Sequence, residues 1–206
     1  MQPVLTYPLL YSYRRCPYAM RARMGLRVAQ IKCELIEINL RDKPEHMLRV
    51  SPKGTVPVFC LSDREIIDES LDILRWALQQ YDPNHWLSGL TNETACWLLT
   101  QNDGPFKQAL DQYKYASRFP DVDPAVARDA AMQALILPLA ELLTDRPYIG
   151  GDAPVLQDIA IFPFVRQFAG VQPDWFAEQA PKPVQQWLTH WVESDLFKAI
   201  MQKPQT

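Results

Sequence analysis

An α/β domain followed by an all-α domain is the architecture this sequence predicts, and three observations carry it. Short apolar, β-branched stretches alternate with helix-patterned runs from Leu9 to about residue 80. The pattern breaks at Tyr81-Asp82-Pro83-Asn84. Beyond the break the chain carries helix signals and no strand signals. The expected domains are therefore 1–82 and 90–206, with the boundary near 82–90.

In the first domain Leu9-Leu10-Tyr11 reads as a strand and Ser12 to Arg15 as a loop. Residues 17–30 read as a helix, because Ala19, Ala22, Leu26 and Ala29 recur at spacings of three and four, with Arg21, Arg23, Arg27 and Gln30 off that stripe. Cys33 to Asn39 alternates and is β-branched, so it reads as a strand. Lys43 to Val50 reads as a short irregular helix entered at Pro44. Thr55 to Phe59 and Glu65 to Ile67 read as strands around a turn at Ser62-Asp63. A helix from about Glu69 would place Leu71, Leu74, Leu78 and Tyr81 on one face. This β-α-β-α-β-β-α order is that of a thioredoxin-like fold.

The second domain is read from caps and breakers. Asn92 can cap a helix; Gly104-Pro105 interrupts it, and Phe106, Ala109, Leu110 and Tyr113 resume a helical stripe. Asp123-Pro124 opens a helix to about Leu143, which Pro138 should kink or divide. Gly150-Gly151 ends a loop before a strongly apolar helix, Val155 to Ala169, that carries Asp158. Pro181 to Val192 reads as a further helix.

The chemistry points to Cys16-Pro17-Tyr18-Ala19 at the junction of the first strand and helix. Pro17 suits the first helical position, where its missing N–H has no partner to lose. The Cys16 sulfur then lies over a helix N-terminus, where unpaired N–H groups and the dipole favour an anion. Arg14, Arg15 and Arg21 add positive charge. A cysteine so placed commonly has its pKa lowered from about 8.5 into a range of roughly 3.5–7.5. The alternative, a buried structural thiol, fits poorly with three arginines within five residues.

Composition narrows the class. The chain has 206 residues, 48% hydrophobic and 22% charged, with a formal net charge of −3, which argues against a general nucleic-acid or anionic-membrane partner. No apolar stretch is long enough to span a bilayer. The start, Met-Gln-Pro-Val-Leu-Thr-Tyr-Pro, shows no export signal. Four cysteines without a C-x-x-C pair suggest free thiols in a reducing, cytoplasmic compartment. Cys33, Cys60 and Cys96 read as core. His46, His85 and His190 give no metal-ligand spacing. Trp175, Trp187 and Trp191 read as helical core rather than as walls of a cosubstrate pocket.

With these residues in hand, the sequence resembles the glutathione transferases. CPYAMRARMGL, INLRDKPEHM, KGTVPVF and IIDES sit at spacings like those of the cysteine-type branch, the omega class and its bacterial relatives. The resemblance is close over residues 9–80 and looser beyond 90, where YIGGDAPVLQDIAIFPF looks like the family's buried helix with its Asp158. Val155 stands where the family has a Ser or Thr cap. The resemblance implies a cis peptide at Val56-Pro57, freeing the Val56 N–H and C=O to pair with the cysteinyl backbone of glutathione. It implies Ser70 for the γ-glutamyl carboxylate, Glu69 for the ammonium, Lys43 for the glycyl carboxylate, and Tyr18 at the mouth of the site. Glu69-Ser70 as a plain capping pair is the competing reading. Lys53 and Asp103 lie in suggestive places and are not assigned. Ala19 occupies the position of a dithiol glutaredoxin's second cysteine, so the implied chemistry is monothiol thioltransfer with glutathione as cosubstrate, without a metal. A glutathionylated substrate or small electrophile is the implied partner, and a homodimer is open. The rivals are glutathione conjugation, with Tyr11, Ser12 or Tyr13 supplying a hydroxyl, and a non-catalytic binding or regulatory module of the same fold.

Overall fold

The computed structural model describes residues 7–203. The stretch read for an export signal lies almost wholly outside them, as do both outer domain limits. The chain divides into two compact units, Met1–Pro83 with Ser194–Thr206, and Asn84–Glu193.

The first unit is a four-stranded mixed sheet in the order β2-β1-β3-β4, from β1 (Leu9–Ser12), β2 (Glu34–Glu37), β3 (Val58–Cys60) and β4 (Ile66–Ile67). β1 pairs parallel with β2, Leu10 opposite Leu35, and antiparallel with β3, Leu10 opposite Phe59. The parallel pair requires a crossover, supplied by α1 (Pro17–Val28). All four β1 residues are buried because both faces of the sheet are covered. Leu10 and Phe59 pack with Ala22 and Leu26 of α1 and with Ile73 and Ala77 of α3 (Ser70–Gln80). Leu9, Tyr11, Val58 and Cys60 face the other way, with Ile38 and with Met47 of the short α2 (Glu45–Val50). α1 and α3 cross closely at Gly25, where a Cβ would lie 2.5 Å from Leu74 Cδ1 and 3.1 Å from the Leu74 backbone.

Several expectations are corrected. The strands are shorter than read: β2 lacks Cys33, Ile38 and Asn39, and β3 begins at Val58 because cis Val56-Pro57 turns the chain before it. α3 buries Ile73, Leu74, Ala77 and Leu78, whereas Tyr81 follows the helix and is exposed. Arg21 and Arg23, placed off the apolar stripe of α1, are both buried, each with polar partners described below. Of the cysteines only Cys60 is fully buried; Cys33 and Cys96 are half-buried. The last helix, α11 (Asp195–Ile200), falls in the first unit, so the helical unit stops at Glu193 rather than running to 206.

The second unit is all helical. Gly104-Pro105 interrupts the α-helix as a π turn: α4 (Glu93–Gln101) passes through Asn102–Phe106 into α5 (Lys107–Lys114). A wider turn accommodates the hydrogen bond that Pro105 cannot donate. The same device precedes Pro138, where α6 (Pro124–Ala131) and α7 (Leu137–Leu143) join through a π turn at Met132–Ile136. α8 (Leu156–Ala169) is almost wholly buried. It is followed by α9 (Pro173–Gln179), which the sequence reading passed over, and by α10 (Lys182–Glu193). Val155 offers no capping oxygen, and the burden falls on Asp158. Its carboxylate accepts the N–H groups of Val155 at 2.9 Å and Ile149 at 3.0 Å, and the Trp187 indole N–H at 2.8 Å. Burial pushes Asp158 up to about 6, against the pull of those donors. Trp187 and Trp191 are core, and Trp175 is half-buried with Arg128 over its ring. Among the described residues no helix is long and apolar enough to cross a membrane.

Candidate active site

Cys16 is the N-cap of α1, with φ −77° and ψ 124°, and Pro17 follows in the first turn. Its N–H closes a turn onto the Tyr13 carbonyl at 3.0 Å, and its own carbonyl accepts the Met20 N–H at 2.9 Å. The first turn of α1 carries no acidic residue, so no carboxylate competes for the helix dipole. The half-buried thiol points across to the Val56 carbonyl, with Sγ 3.8 Å from the oxygen.

A cavity of about 530 Å3 opens beside Cys16, formed wholly by residues of the first unit. Tyr18 flanks the thiol, and Thr55, Val56 and Pro57 form the adjoining wall. The Val56-Pro57 peptide is cis. Leu40 and Lys43 line a second side, and Asp68, Glu69 and Ser70 a third. Gly54, between these walls, has φ +62°, and a Cβ there would lie 3.3 Å from Leu48 and 3.6 Å from Lys43 Nζ. Glycine thus serves both the left-handed backbone and the approach of the lysine. All seven residues singled out for this site, Cys16, Tyr18, Lys43, Val56, Pro57, Glu69 and Ser70, line the one cavity.

The start of α3 bears on the capping alternative. Glu69 is the N-cap residue, yet its side chain makes no capping hydrogen bond. Ser70 is already inside the helix, and its buried hydroxyl accepts from Arg21 Nη1 at 3.3 Å. This helix start therefore offers N–H groups and a guanidinium-backed hydroxyl to the cavity.

Three further polar residues, Asp68, Lys53 and Arg23, support the site. Asp68 directly precedes Glu69, and its carboxylate accepts from the buried Ser51 hydroxyl at 2.6 Å and lies 3.1 Å from Lys53 Nζ. Burial works to raise its pKa, but those two bonds outweigh it and hold Asp68 below the usual carboxylate range. Lys53 also pairs with Glu69 at 2.5 Å, so one ammonium bridges both carboxylates. Arg23, seven residues after Cys16 and so on the same helix face, donates to Ser12 Oγ at 2.5 Å and to the carbonyls of Tyr13 and Arg14. Burial draws its pKa down to about 10, partly countered by the charges of Glu37 and Cys16, which leaves it cationic at neutral pH beneath the Cys16 loop. The i, i+7 spacing was the available signal.

The three rival hydroxyls are engaged elsewhere, and none lines the cavity. Tyr11 Oη is 2.7 Å from His46 Nδ1, Ser12 is buried under Arg23, and Tyr13 Oη accepts from Arg15 at 3.1 Å.

Comparison with known proteins agrees with this geometry. Residues 10–85 match the family described as Glutathione S-transferase, N-terminal domain. The chain is 26% identical over 208 residues to glutathione S-transferase omega-1 of Mus musculus, spanning 94% of this chain and 76% of that protein. It is 42% identical to glutathione S-transferase omega-2 of Homo sapiens over 62 residues, 30% of this chain and 26% of the relative. Among solved structures, glutathione transferase Omega 2C from Trametes versicolor superposes with a TM-score of 0.75 at 17% identity, covering 95% of this chain and 93% of that one.

Proposed function

Because this chain carries a glutathione S-transferase N-terminal domain on a glutathione-transferase fold, with omega-class proteins among its relatives, we propose that it is a glutathione-dependent thioltransferase acting through Cys16 alone. The observation that carries this reading is the Cys16 thiol at a helix start on the cavity, with the hydroxyls of Tyr11, Ser12 and Tyr13 turned to other partners.

Glutathione would lie along three walls. Val56 offers its backbone N–H and C=O to the cysteinyl residue in the manner of an added strand, and its carbonyl then exchanges the Cys16 thiol contact for the ligand. Pro57 fixes the bend that presents Val56. Ser70 and the N–H groups of α3 receive the γ-glutamyl carboxylate. Glu69, with Asp68 beside it, receives the ammonium, displacing part of the contact to Lys53. Lys43 meets the glycyl carboxylate, and Tyr18 borders the sulfur.

In the first step the Cys16 thiolate attacks the glutathionyl sulfur of a mixed disulfide. A Cys16–glutathione disulfide forms, the original S–S bond breaks, and the other thiolate leaves and takes up a proton. In the second step a further glutathione thiolate attacks the glutathionyl sulfur of that adduct, oxidised glutathione departs, and Cys16 returns as thiolate. Ala19 supplies no second thiol to intercept the adduct. The cytoplasm, with its reduced glutathione, suits four free cysteines.

Conjugation to electrophiles is the alternative reaction. A paired assay separates them: Cys16→Ser should abolish reduction of a glutathione mixed disulfide. Strong conjugation by wild type that survives the serine change would refute the thioltransferase reading.

A further inference from the structure

Helix α2 stands beside the cavity wall that holds Lys43, yet its hydrophobic anchorage is slight. It has six residues, only Met47 among them is buried, and no side chain caps its start. A polar tie is added by His46, whose side chain is 12% exposed. Its Nδ1 lies 2.7 Å from the hydroxyl of Tyr11, buried on β1. Its Nε2 lies 3.2 Å from Asp63 Oδ1, in the turn between β3 and β4. The Tyr7 hydroxyl also donates to Asp63 and lies 3.4 Å from His46 Nε2. One imidazole thus joins three separate pieces of chain.

The partners fit together as donors and acceptors. Burial pushes the Tyr11 phenol up to about 12, so it keeps its proton and donates to Nδ1. Nε2 then carries the imidazole proton and donates to Asp63. The bonds from Tyr7 and His46 hold Asp63 below the usual carboxylate range, keeping it an acceptor at neutral pH.

Lys43 stands three residues before His46, on the link between α2 and the turn that Asp42 N–H closes onto Asn39 O at 3.1 Å. We propose that His46 is a positioning residue: the Tyr11–His46–Asp63 tether fixes α2, and thereby the point at which Lys43 Nζ meets a ligand carboxylate. This rests on the glutathione reading above. It names a specificity: the tether governs discrimination between glutathione and γ-glutamylcysteine, which shares the γ-glutamyl and cysteinyl portions but has no glycine to reach Lys43.

The test compares wild type, His46→Ala, His46→Gln and Tyr11→Phe by calorimetric Kd and by steady-state thioltransfer, with each of the two thiols as reductant. His46→Ala should raise the Kd and KM for glutathione about tenfold, as expected when a charge-assisted contact is largely lost. The kcat at saturation should stay within about twofold, and γ-glutamylcysteine should be unaffected. His46→Gln, able to accept from Tyr11 or donate to Asp63, should recover part of the glutathione affinity. Tyr11→Phe should shift the same parameter less, and keeps the test open should His46→Ala misfold. Combining His46→Ala with Lys43→Ala should add nothing to Lys43→Ala alone. Equal loss for both thiols, a fall in kcat, or unchanged glutathione affinity would overturn the tether while leaving the site intact. Failure of wild type to bind either thiol would overturn the glutathione reading and the tether with it.

Discussion

Replacing Asp158 with Ala should destabilise the helical unit by about 3 kcal/mol. Its carboxylate accepts three buried donors, from Val155, Ile149 and Trp187. Leaving each unpaired costs about 2 kcal/mol, or about 6 in all. The net position of Asp158 at about 6 rather than 3.8 already includes these bonds and means that the ionised carboxylate still opposes folding at neutral pH. The predicted loss is therefore smaller than that sum, about 3 kcal/mol. Asp158→Asn can keep its carbonyl oxygen on the Ile149 and Trp187 donors, gives up only the Val155 contact, and sheds the charge. It should fall within about 1 kcal/mol of wild type. The assay is urea unfolding at pH 7.5 followed by tryptophan fluorescence, apt because five of the six tryptophans (Trp86, Trp97, Trp175, Trp187, Trp191) lie in this unit, with Trp76 outside. Equal stability of Asp158→Ala and Asp158→Asn would show that the three donors find other partners and would refute the reasoning.

Three further predictions follow from the same geometry. The folded pKa of Asp158 lies above its unfolded value, so its contribution to stability is fully present below about 3.8 and is lost as pH rises through about 6; stability measured from pH 4 to 7 should fall more in wild type than in Asp158→Asn, and identical slopes would contradict this. Iodoacetamide should alkylate Cys16 first, since burial pushes the Cys33 and Cys60 thiols up to about 11; uniform slow labelling of all four cysteines would sink the claim of an activated Cys16. Ser70→Ala should weaken glutathione binding about tenfold or more, on the ~1.5–3 kcal/mol of a hydrogen bond to a charged group, without unfolding the protein, because that hydroxyl caps no helix; unchanged affinity would remove Ser70 from the site.

Much of this was legible in the sequence because its signals are local. Pro17 after Cys16 marks a helix start whatever surrounds it, and the apolar periods of α1 and α8 are strong. The resemblance located Val56-Pro57 and Glu69-Ser70 at their spacings from Cys16. What was missed depends on contacts between distant segments. Arg21 and Arg23 fall off the apolar stripe of α1, and their burial is not legible there because a buried guanidinium needs partners, which come from Ser70, forty-nine residues away, and from the Ser12 to Arg14 loop. Asp68 and Lys53 gain meaning only when the 51–57 loop meets the start of α3. The expected interruption at Gly104-Pro105 and division near Pro138 take the form of π turns before Lys107 and Leu137, a form that the sequence pattern does not specify. α11 was assigned by chain order to the helical domain, whereas its partners belong to the first unit.

Incubation with oxidised glutathione followed by intact-mass analysis and peptide mapping tests the central claim most directly. The account predicts one glutathionyl group per chain, mapped to Cys16, released by excess reduced glutathione and absent from Cys16→Ser. No adduct, or adducts spread over Cys33 and Cys96 as readily as over Cys16, would contradict it.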